Sequence, residues 1–505
     1  MCALKKRYAK NLKTFTSVVL ALSLLFSAAS CAGSDDTTSI DIYDNSSVIS
    51  TEESRDDSSI AESEVTSKAE DSSKPDGSSK TDESSKPDES SKPDDSSKPD
   101  ESSKPDDSSK TDESSKPDEN SKPDDSSKPD DSSKPDDSSK PDESSKPDDS
   151  SKTDPNEKLS ANDILKSMSL EEKIYQMFIV SPEQLTGASV VTDAGNDVKK
   201  ALSKMPVGGI ICFAQNIKTP KQTTSLISKL QDYSKYGLFI AVDEEGGKVA
   251  RIAKNESMGT TVFPNMKKIG DTGNTDKAYN VGWTIGNEIQ RFGFNIDFAP
   301  VADVNSNPDN PVIGERSFGS TPEVVSKMVA AAVKGFNDSG VGCAIKHFPG
   351  HGDTATDSHK GYTETVKTLE ELQKIEFQPF AAGIDAGVDF VMIGHISVPN
   401  VTGNDIPATL SKPIIDILKN DLRFKGLVIT DAMRMEAITQ RYSSAEAAIM
   451  AVNAGVDIIL LPDDLQAAAK GIYNAVKSGK ISEERIDESV LKILETKMRL
   501  GIIVQ

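Results

Sequence analysis

Eight short apolar runs after residue 158 limit the fold of this chain more than any other feature of its sequence. Most of them are rich in β-branched or aromatic residues, and polar turns and segments of helical periodicity separate them. The pattern predicts strands at residues 177–180, 209–214, 238–242, 294–298, 342–345, 390–393, 427–430 and 458–461. Successive βα units of this kind favour an α/β fold with a single (β/α)8 TIM-type barrel. A doubly wound open sheet is the alternative, but it usually has fewer strands and a glycine-rich loop after the first one.

Helix signals surround the runs. Ser169 and Glu172 form the pattern of a capping box, and helices are predicted over 161–168 and 482–500. The sequence Ala-Gly-Val-Asp occurs twice, at 386–389 and 454–457, where we expect a helix to end and a strand to begin. We therefore predict the barrel for residues 158–505.

The N-terminus carries the signals of an exported protein. Basic residues precede an apolar run at 18–26, and small residues lead up to Cys31, which is typical of a secretory signal with a bacterial lipoprotein cleavage site. The run is shorter than the roughly 20 apolar residues that a membrane span needs. We predict a signal peptide over 1–30 and acylation of Cys31. This lipid anchor would be the only contact with the membrane and would hold the protein on the extracellular face of the bacterial cell membrane, with ordinary secretion as the alternative.

Residues 31–157 repeat Ser-Ser-Lys-Pro-Asp followed by a further acidic residue, as at 90–95. The repeats have no apolar face to offset the entropy of ordering, so we predict a disordered linker. They also hold most of the formal charge of -23, so this acidity says little about the barrel. A nucleic-acid interface needs lysine and arginine clustered on the folded face. The sequence offers no such cluster, so we exclude nucleic acid as a partner.

Two of the four cysteines, Cys212 and Cys343, lie within predicted strands of the barrel. We expect them to be buried thiols rather than a disulfide. We also expect the protein to be a monomer.

Polar residues follow many of the predicted strands. In a (β/α)8 barrel the carboxyl ends of the strands meet on one face, where active sites are built. We therefore expect these side chains to converge: Asp243, Glu244, Glu245, Asp303, Lys346, His347, His395, Asp431, Asp463 and Asp464.

Three of the four histidines fall within one segment, residues 346–359. In residues and spacing this segment resembles the signature of family 3 glycoside hydrolases, in particular of their β-N-acetylglucosaminidase branch. Segments 243–251, 314–319 and 430–435 resemble further motifs of the family in the same order. The resemblance extends over residues 161–505 and implies an enzyme that acts on a carbohydrate substrate without a cofactor or a metal ion.

The resemblance implies a retaining mechanism with a covalent glycosyl-enzyme. Asp431 matches the nucleophile of the family, and His359 matches the residue that acts as general acid and then as general base. An imidazole suits this task because its pKa lies near the working pH. Asp357 would orient the ring of His359 and stabilise the imidazolium. The loop over 350–361 would let this pair move in after the sugar binds.

The resemblance also implies a set of residues that bind the hydroxyls and the N-acetyl group of the sugar: Asp243, Arg251, Arg316, Lys346 and His347. Charged donors and acceptors on strand ends suit a polyol. We interpret His351 as structural support for the loop, and His395 either lines the pocket or lies in the rim. The sequence departs from the family pattern at Lys248, where arginine is frequent, and at Ala432, where acidic or aromatic residues are frequent.

The implied activity is that of an exo-β-N-acetylglucosaminidase (β-N-acetylhexosaminidase). It would hydrolyse terminal, non-reducing β-linked N-acetylglucosamine from cell-wall fragments or from other glycans. Two alternatives lie within the family: a β-glucosidase, and a phosphorylase that uses phosphate in place of water. The Asp357–His359 pair favours N-acetylglucosaminides but does not separate hydrolysis from phosphorolysis.

Two further alternatives lie outside this activity. A metal-dependent barrel hydrolase could use His347, His351 and His359 as ligands, although the Phe-Pro-Gly segment at 348–350 suits a substrate loop better. An anchored wall-binding protein without activity is disfavoured because both Asp431 and His359 are present.

Overall fold

The structure is a computed structural model that describes residues 159–503. The predicted signal peptide, Cys31 and the predicted linker lie outside the described residues, and they remain predictions.

Eight parallel strands form a nearly closed barrel. In chain order the barrel strands are β1 (Phe178–Val180), β2 (Gly209–Ile211), β3 (Phe239–Val242), β6 (Ile296–Asp297), β7 (Gly342–Phe348), β8 (Phe390–Ile393), β9 (Leu427–Thr430) and β10 (Ile459–Leu460). From β1 to β9, each barrel strand pairs with the next barrel strand along the chain, and β10 pairs with β1. The seam between β9 and β10 is joined by a bridge from Ile429 to Ile458. The predicted α/β fold with a parallel eight-stranded barrel is confirmed.

Helices surround the barrel, and a small antiparallel hairpin of β4 (Glu244–Gly246) and β5 (Val249–Ala250) follows β3. The helices are α1 (Ala161–Ser167), α2 (Leu170–Gln176), α3 (Pro182–Thr186), α4 (Asn196–Lys204), α5 (Pro220–Tyr233), α6 (Met266–Gly270), α7 (Thr275–Gln290), α8 (Pro322–Ser339), α9 (Leu369–Lys374), α10 (Phe377–Asp385), α11 (Pro399–Thr402), α12 (Lys412–Asp416), α13 (Glu436–Thr439), α14 (Ser444–Ala454), α15 (Leu465–Lys477) and α16 (Glu483–Arg499). None of the helices that the described residues form is long and apolar enough to cross a membrane.

Local sequence signals place the first and last helices. Ser169 accepts the backbone N–H of Glu172, whose carboxylate in turn accepts the backbone N–H of Ser169 at 2.9 Å, so the predicted capping box is confirmed. The helix predicted over 161–168 ends at Ser167, and Ser482 is the N-cap of α16.

The two Ala-Gly-Val-Asp sequences lie where a helix ends and a strand begins, as predicted. Each aspartate is buried at the start of its strand and accepts a hydrogen bond from α16. Arg499 donates to Asp389 at 2.5 Å, and the Ser489 hydroxyl donates to Asp457 at 2.6 Å. The repeated aspartates therefore fasten the last helix to the amino ends of β8 and β10.

The ends of the strands were predicted less accurately than their number and order. The strand predicted at 209–214 ends at Ile211, because the chain turns there and Asn216 accepts the backbone N–H of Phe213 at 2.8 Å. The strand predicted at 342–345 continues to Phe348, because it keeps pairing with β8. Cys212 and Cys343 are buried and free, as predicted, and burial raises the pKa of Cys212 to about 12.

Candidate active site

A cavity of about 230 Å³ opens at the carboxyl ends of the barrel strands. Most of the residues predicted for catalysis or sugar binding line it: Asp243, Arg251, Arg316, Lys346, His347, His359 and Asp431. Asp357 reaches the site through a hydrogen bond to His359. The predicted residues therefore meet on the face where barrel enzymes carry their chemistry.

The acidic pair after β10 lies elsewhere. Asp464 accepts the backbone N–H of Ala467 at 2.9 Å and begins α15 as its N-cap, and Asp463 is exposed. The prediction that these two residues converge with the others was wrong. An aspartate after a strand caps the next helix as readily as it binds a ligand.

A charged network forms one wall of the cavity. The ammonium of Lys346 lies 2.8 Å from Asp243 and 2.7 Å from Glu245. Arg316 donates to both oxygens of Glu245, at 2.9 and 2.7 Å. Burial alone would raise the pKa of Glu245, but the charges of Arg316 and Lys346 hold it well below its ordinary value. Burial would likewise lower the pKa of Lys346, but Asp243 and Glu245 raise it, so this wall stays ionised.

The β4–β5 hairpin carries Arg251 to the cavity, 4.0 Å from Asp243. The buried carboxylate of Glu244 fixes the hairpin by accepting the backbone N–H groups of Arg251, Ile252 and Ala253 at 2.7 to 3.1 Å. This hairpin was not predicted, since strands of two or three residues give no detectable alternation.

His347 is held from beneath by Asp303. The pairing of β7 with β8 shifts register between Lys346 and Phe348, and such a bulge re-aims side chains. Both Lys346 and His347 therefore face the cavity. Asp303 Oδ2 lies 2.7 Å from His347 Nδ1, and its Oδ1 accepts the backbone N–H groups of His347 and His351. The free ring nitrogen of His347, Nε2, is left for the cavity.

Asp431 follows β9 directly and is half-buried. Burial alone would raise its pKa, but the nearby rings of His347 and His395 and the backbone N–H of Ala432, at 2.7 Å, lower it to about 2. Its carboxylate is therefore ionised over the whole neutral range, which is the form that a nucleophile needs.

His395 fixes the backbone beside Asp431. It lies 2.7 Å from the hydroxyl of Thr409 through Nδ1 and 3.0 Å from the carbonyl oxygen of Ala432 through Nε2. Burial lowers the pKa of His395, so the ring is neutral and Nε2–H donates to Ala432. Both ring nitrogens are engaged, so His395 supports the segment after Asp431.

The loop after β7 carries the other two histidines. His351 contacts the hydroxyls of Thr354 and Ser358 through its two ring nitrogens, at 2.6 and 3.1 Å, and burial lowers its pKa to about 4. This geometry agrees with the structural role predicted for His351. It also leaves the ring without a free nitrogen for a metal ion.

His359 and Asp357 are paired farther along the same loop. His359 Nδ1 lies 3.0 Å from Asp357 Oδ1, which also accepts the backbone N–H of His359 at 2.9 Å. Burial opposes ionisation of Asp357, but these hydrogen bonds lower its pKa. The His359 side chain is 63% exposed, so its Nε2 is free for a ligand at the mouth of the cavity.

The sequence does not predict the contacts of three residues at this site. Glu245 joins Arg316 to Lys346, and Asp303 orients His347. Both were recognised as residues that follow strands, but their partners come from other strands and cannot be read from spacing. Arg434 lines the cavity three positions after Asp431, and its place within the segment 430–435 gives it no role from sequence. Within residues 159–503, no three His, Cys, Asp or Glu side chains are grouped as a metal site would require.

Comparison with known proteins identifies relatives over the barrel. Residues 169–496 match the family described as Glycosyl hydrolase family 3 N terminal domain. Beta-hexosaminidase A of Pseudoalteromonas piscicida is 35% identical over 344 residues, which cover 62% of this chain and 56% of that protein. Beta-hexosaminidase LpqI of Mycobacterium tuberculosis is 31% identical over 342 residues, which cover 65% of this chain and 83% of that protein.

A solved structure is similar as well. The glycoside hydrolase family 3 beta-N-acetylglucosaminidase from Paenibacillus sp. str. FPU-7 has 38% sequence identity and a TM-score of 0.63, over 67% of this chain and 64% of that chain. The chain thus spans less than two thirds of the Pseudoalteromonas and Paenibacillus proteins, and most of the mycobacterial one.

Proposed function

Because the chain belongs to glycosyl hydrolase family 3, we propose that it is a retaining exo-β-N-acetylglucosaminidase that hydrolyses terminal, non-reducing β-linked N-acetylglucosamine. The observation that carries the proposal is that Asp431 and His359 line one cavity. The names of the relatives, beta-hexosaminidase and beta-N-acetylglucosaminidase, support the choice of sugar.

The charged wall binds the terminal sugar. Asp243 accepts hydrogen bonds from its hydroxyls, and Arg251, Arg316 and Lys346 donate to its oxygens. Because these groups are already held in place by one another, little side-chain entropy is lost when the sugar binds. His347 offers Nε2 to the same sugar.

Catalysis then proceeds in two steps. Asp431 attacks the anomeric carbon while His359 gives a proton to the leaving oxygen, and a covalent glycosyl-enzyme forms. His359 next removes a proton from water, which attacks the same carbon and releases Asp431 as a carboxylate. Asp357 holds the ring of His359 and stabilises the imidazolium.

The proposal is tested by p-nitrophenol release from the β-N-acetylglucosaminide and the β-glucoside, with full-length protein and a chelator present. We expect a strong preference for the acetamido sugar, no effect of the chelator, and loss of turnover in Asp431→Asn. Preference for the glucoside would indicate the β-glucosidase alternative. A rate that requires added phosphate, with sugar 1-phosphate as the product, would indicate the phosphorylase.

The natural substrate and the location are part of the proposal. We propose that the enzyme acts on cell-wall fragments or other glycans outside the cell, held by a lipid on Cys31. The support is the sequence before residue 158. Incorporation of a labelled fatty acid into the full chain, and its loss in Cys31→Ala, is the expected result. Equal labelling of the two proteins would contradict the anchor.

A further inference from the structure

The cavity has two unlike walls. One is the charged wall of Asp243, Glu245, Arg251, Arg316 and Lys346. The other, here called the apolar wall, comes from the ends of β2, β9 and β10 and consists of Ile211, Phe213, Ala432, Met435, Leu460 and Leu461. Arg434 brings a positive charge to the apolar wall, where its guanidinium lies 5.4 Å from the centre of the Phe213 ring.

Arg434 differs from the other cations of the cavity in its partners. Arg251, Arg316 and Lys346 each lie within 4.0 Å of Asp243 or Glu245. Arg434 makes no ion pair with any carboxylate in residues 159–503, and it lies over the aromatic ring of Phe213. Its charge is therefore not neutralised within the described part of the protein.

Asp431 lies three positions before Arg434 and lines the same cavity, but within residues 159–503 no ion pair of 4.0 Å or less joins the two. The cation is thus available to a group that arrives from outside.

The position of Arg434 indicates which part of a substrate it would meet. Lys346 and Glu245 are buried at the inner end of the cavity, whereas Arg434 and His359 are exposed at its mouth. In an exo-acting glycosidase the terminal sugar fills the inner end, and the leaving group extends outward past the general acid. Arg434 therefore lies on the leaving-group side.

We propose that Arg434, held over Phe213, forms an oxyanion-binding subsite on the leaving-group side of the cavity. A guanidinium binds carboxylate and phosphate oxygens through two parallel N–H groups. The oxyanion is either a carboxylate carried by the leaving group or a free phosphate ion. The inference rests on the proposed function, because it takes its orientation from the exo-hydrolysis of a β-N-acetylglucosaminide.

The test compares two aryl β-N-acetylglucosaminides, one with a 3-carboxyphenyl and one with a 3-carbamoylphenyl leaving group, on full-length protein at low salt. The measured quantity is the ratio of their kcat/KM values. Comparing this ratio between proteins cancels the intrinsic reactivity of the two phenols. We expect Arg434→Gln to lower the ratio about tenfold and Arg434→Lys to lower it less. Salt should weaken the effect, because the site is exposed.

Arg291→Gln is the matched control. Arg291 is an exposed arginine at the end of α7, outside the cavity, and its replacement removes the same charge. It should leave the ratio and the absolute rates unchanged. A second arm measures inhibition of the carbamoylphenyl substrate by inorganic phosphate at constant ionic strength.

Each outcome decides one point. A ratio that falls in Arg434→Gln assigns the subsite to the leaving group. An unchanged ratio, with phosphate inhibition present in the parent and lost in Arg434→Gln, assigns it to free phosphate. If neither quantity changes while both substrates are hydrolysed, the subsite is refuted and the proposed function stands. If the parent protein hydrolyses neither substrate, the proposed function and the subsite fall together.

Discussion

Among the proposed catalytic residues, His359 is the most exposed, and the mechanism requires it both to give and to accept a proton. Its ring is tied to Asp357 through Nδ1, while Nε2 is left free. In the proposed mechanism this nitrogen must carry a proton in the first step and accept one in the second. An acid matters most when the leaving group is a poor one.

We therefore expect His359→Ala to affect substrates unequally. Hydrolysis of a disaccharide should fall by about 100-fold or more, and that of an activated aryl glycoside by about tenfold or less. Initial rates on the two substrates measure this split, with Lys360→Ala as the exposed neighbouring control. Equal losses on both substrates would contradict the acid role.

Asp303 acts through His347 and is fully buried. In a neutral ring the proton lies on Nδ1, which donates to Asp303 at 2.7 Å, so Nε2 accepts from the sugar. Asp303→Asn would present an N–H group to Nδ1 and move the proton to Nε2. Nε2 of His347 would then be a hydrogen-bond donor, whereas binding of the sugar hydroxyl requires an acceptor at this position.

The expected result for Asp303→Asn is a loss of about 10- to 100-fold in kcat/KM and an altered pH profile. Steady-state kinetics across pH measure both, and near-UV circular dichroism checks that the fold is kept. A folded variant with an unchanged pH profile would show that Asp303 has no positioning role.

On the side of the barrel opposite the cavity, hydrogen bonds and ion pairs join the last helix, α16, to the strands. Asp457 lies two residues before β10. It accepts hydrogen bonds from the Ser489 hydroxyl at 2.6 Å and from the backbone N–H of Val428 at 3.1 Å, and Arg485 lies 3.7 Å away. A buried acceptor with this many partners stabilises the closure of the barrel by the last helix. Asp457 lies at the amino ends of the barrel strands, on the face that in such barrels serves stability.

Asp457→Ala should therefore lower the free energy of unfolding by about 2–3 kcal/mol. The substitution leaves the Ser489 hydroxyl, the Val428 N–H and the nearby Arg485 without their carboxylate partner. Denaturant unfolding measures the change. The exposed Asp463→Ala is the matched control, expected within about 0.5 kcal/mol of the parent. If Asp457→Ala changed the free energy of unfolding as little as Asp463→Ala does, the inference that Asp457 joins the last helix to the barrel would be wrong.

The elements themselves were largely predictable. The eight runs gave the number and order of the strands, since buried parallel strands read as apolar segments. Their ends were less predictable, because the stop at Ile211 depends on a side-chain bond from Asn216, and the extension of β7 depends on β8. The hairpin at 244–250 depends on Glu244, whose three backbone partners no periodicity reveals.

In the molecule as a whole, the cavity lies at the carboxyl ends of the barrel strands, and the buried polar contacts that join the last helix to the barrel lie at their amino ends. A buried lysine, Lys497, lies at the amino ends of the barrel strands, where its amino group donates to Gln176 at 2.7 Å and to the Gly237 carbonyl at 2.8 Å. Burial lowers the pKa of Lys497 to about 7, from 10.5. Between these pH values the unfolded chain binds more protons than the folded one, so stability should rise with pH in this window.

Comparison with Lys497→Met isolates this contribution. The free energy of unfolding of the parent, minus that of the variant, should rise by about 1–2 kcal/mol from pH 7 to pH 9. Denaturant unfolding at the two pH values gives the difference. Parallel pH dependences of the two proteins would show that the lysine is charged in the fold.

Most of the site could be predicted, because Asp431 directly follows β9 and because Lys346 and His347 lie in a recognisable motif near the end of β7. Asp463 and Asp464 also follow a strand, but they do not line the cavity. A position after a strand does not show whether a side chain points to the cavity or caps the next helix. The apolar wall, and an Arg434 that has no ion pair within residues 159–503, could not be predicted, because the ends of β2, β9 and β10 meet only in the folded barrel.

The central claim, that Asp431 is the nucleophile of a retaining N-acetylglucosaminidase, is tested most directly by trapping the glycosyl-enzyme. Full-length protein would be treated with a 5-fluoro-N-acetylglucosaminyl fluoride, digested and mapped by mass spectrometry. The account predicts a single added sugar on the peptide that carries Asp431, and none in Asp431→Asn. A label on another carboxylate, or steady hydrolysis that inverts the anomeric carbon without any label, would contradict it.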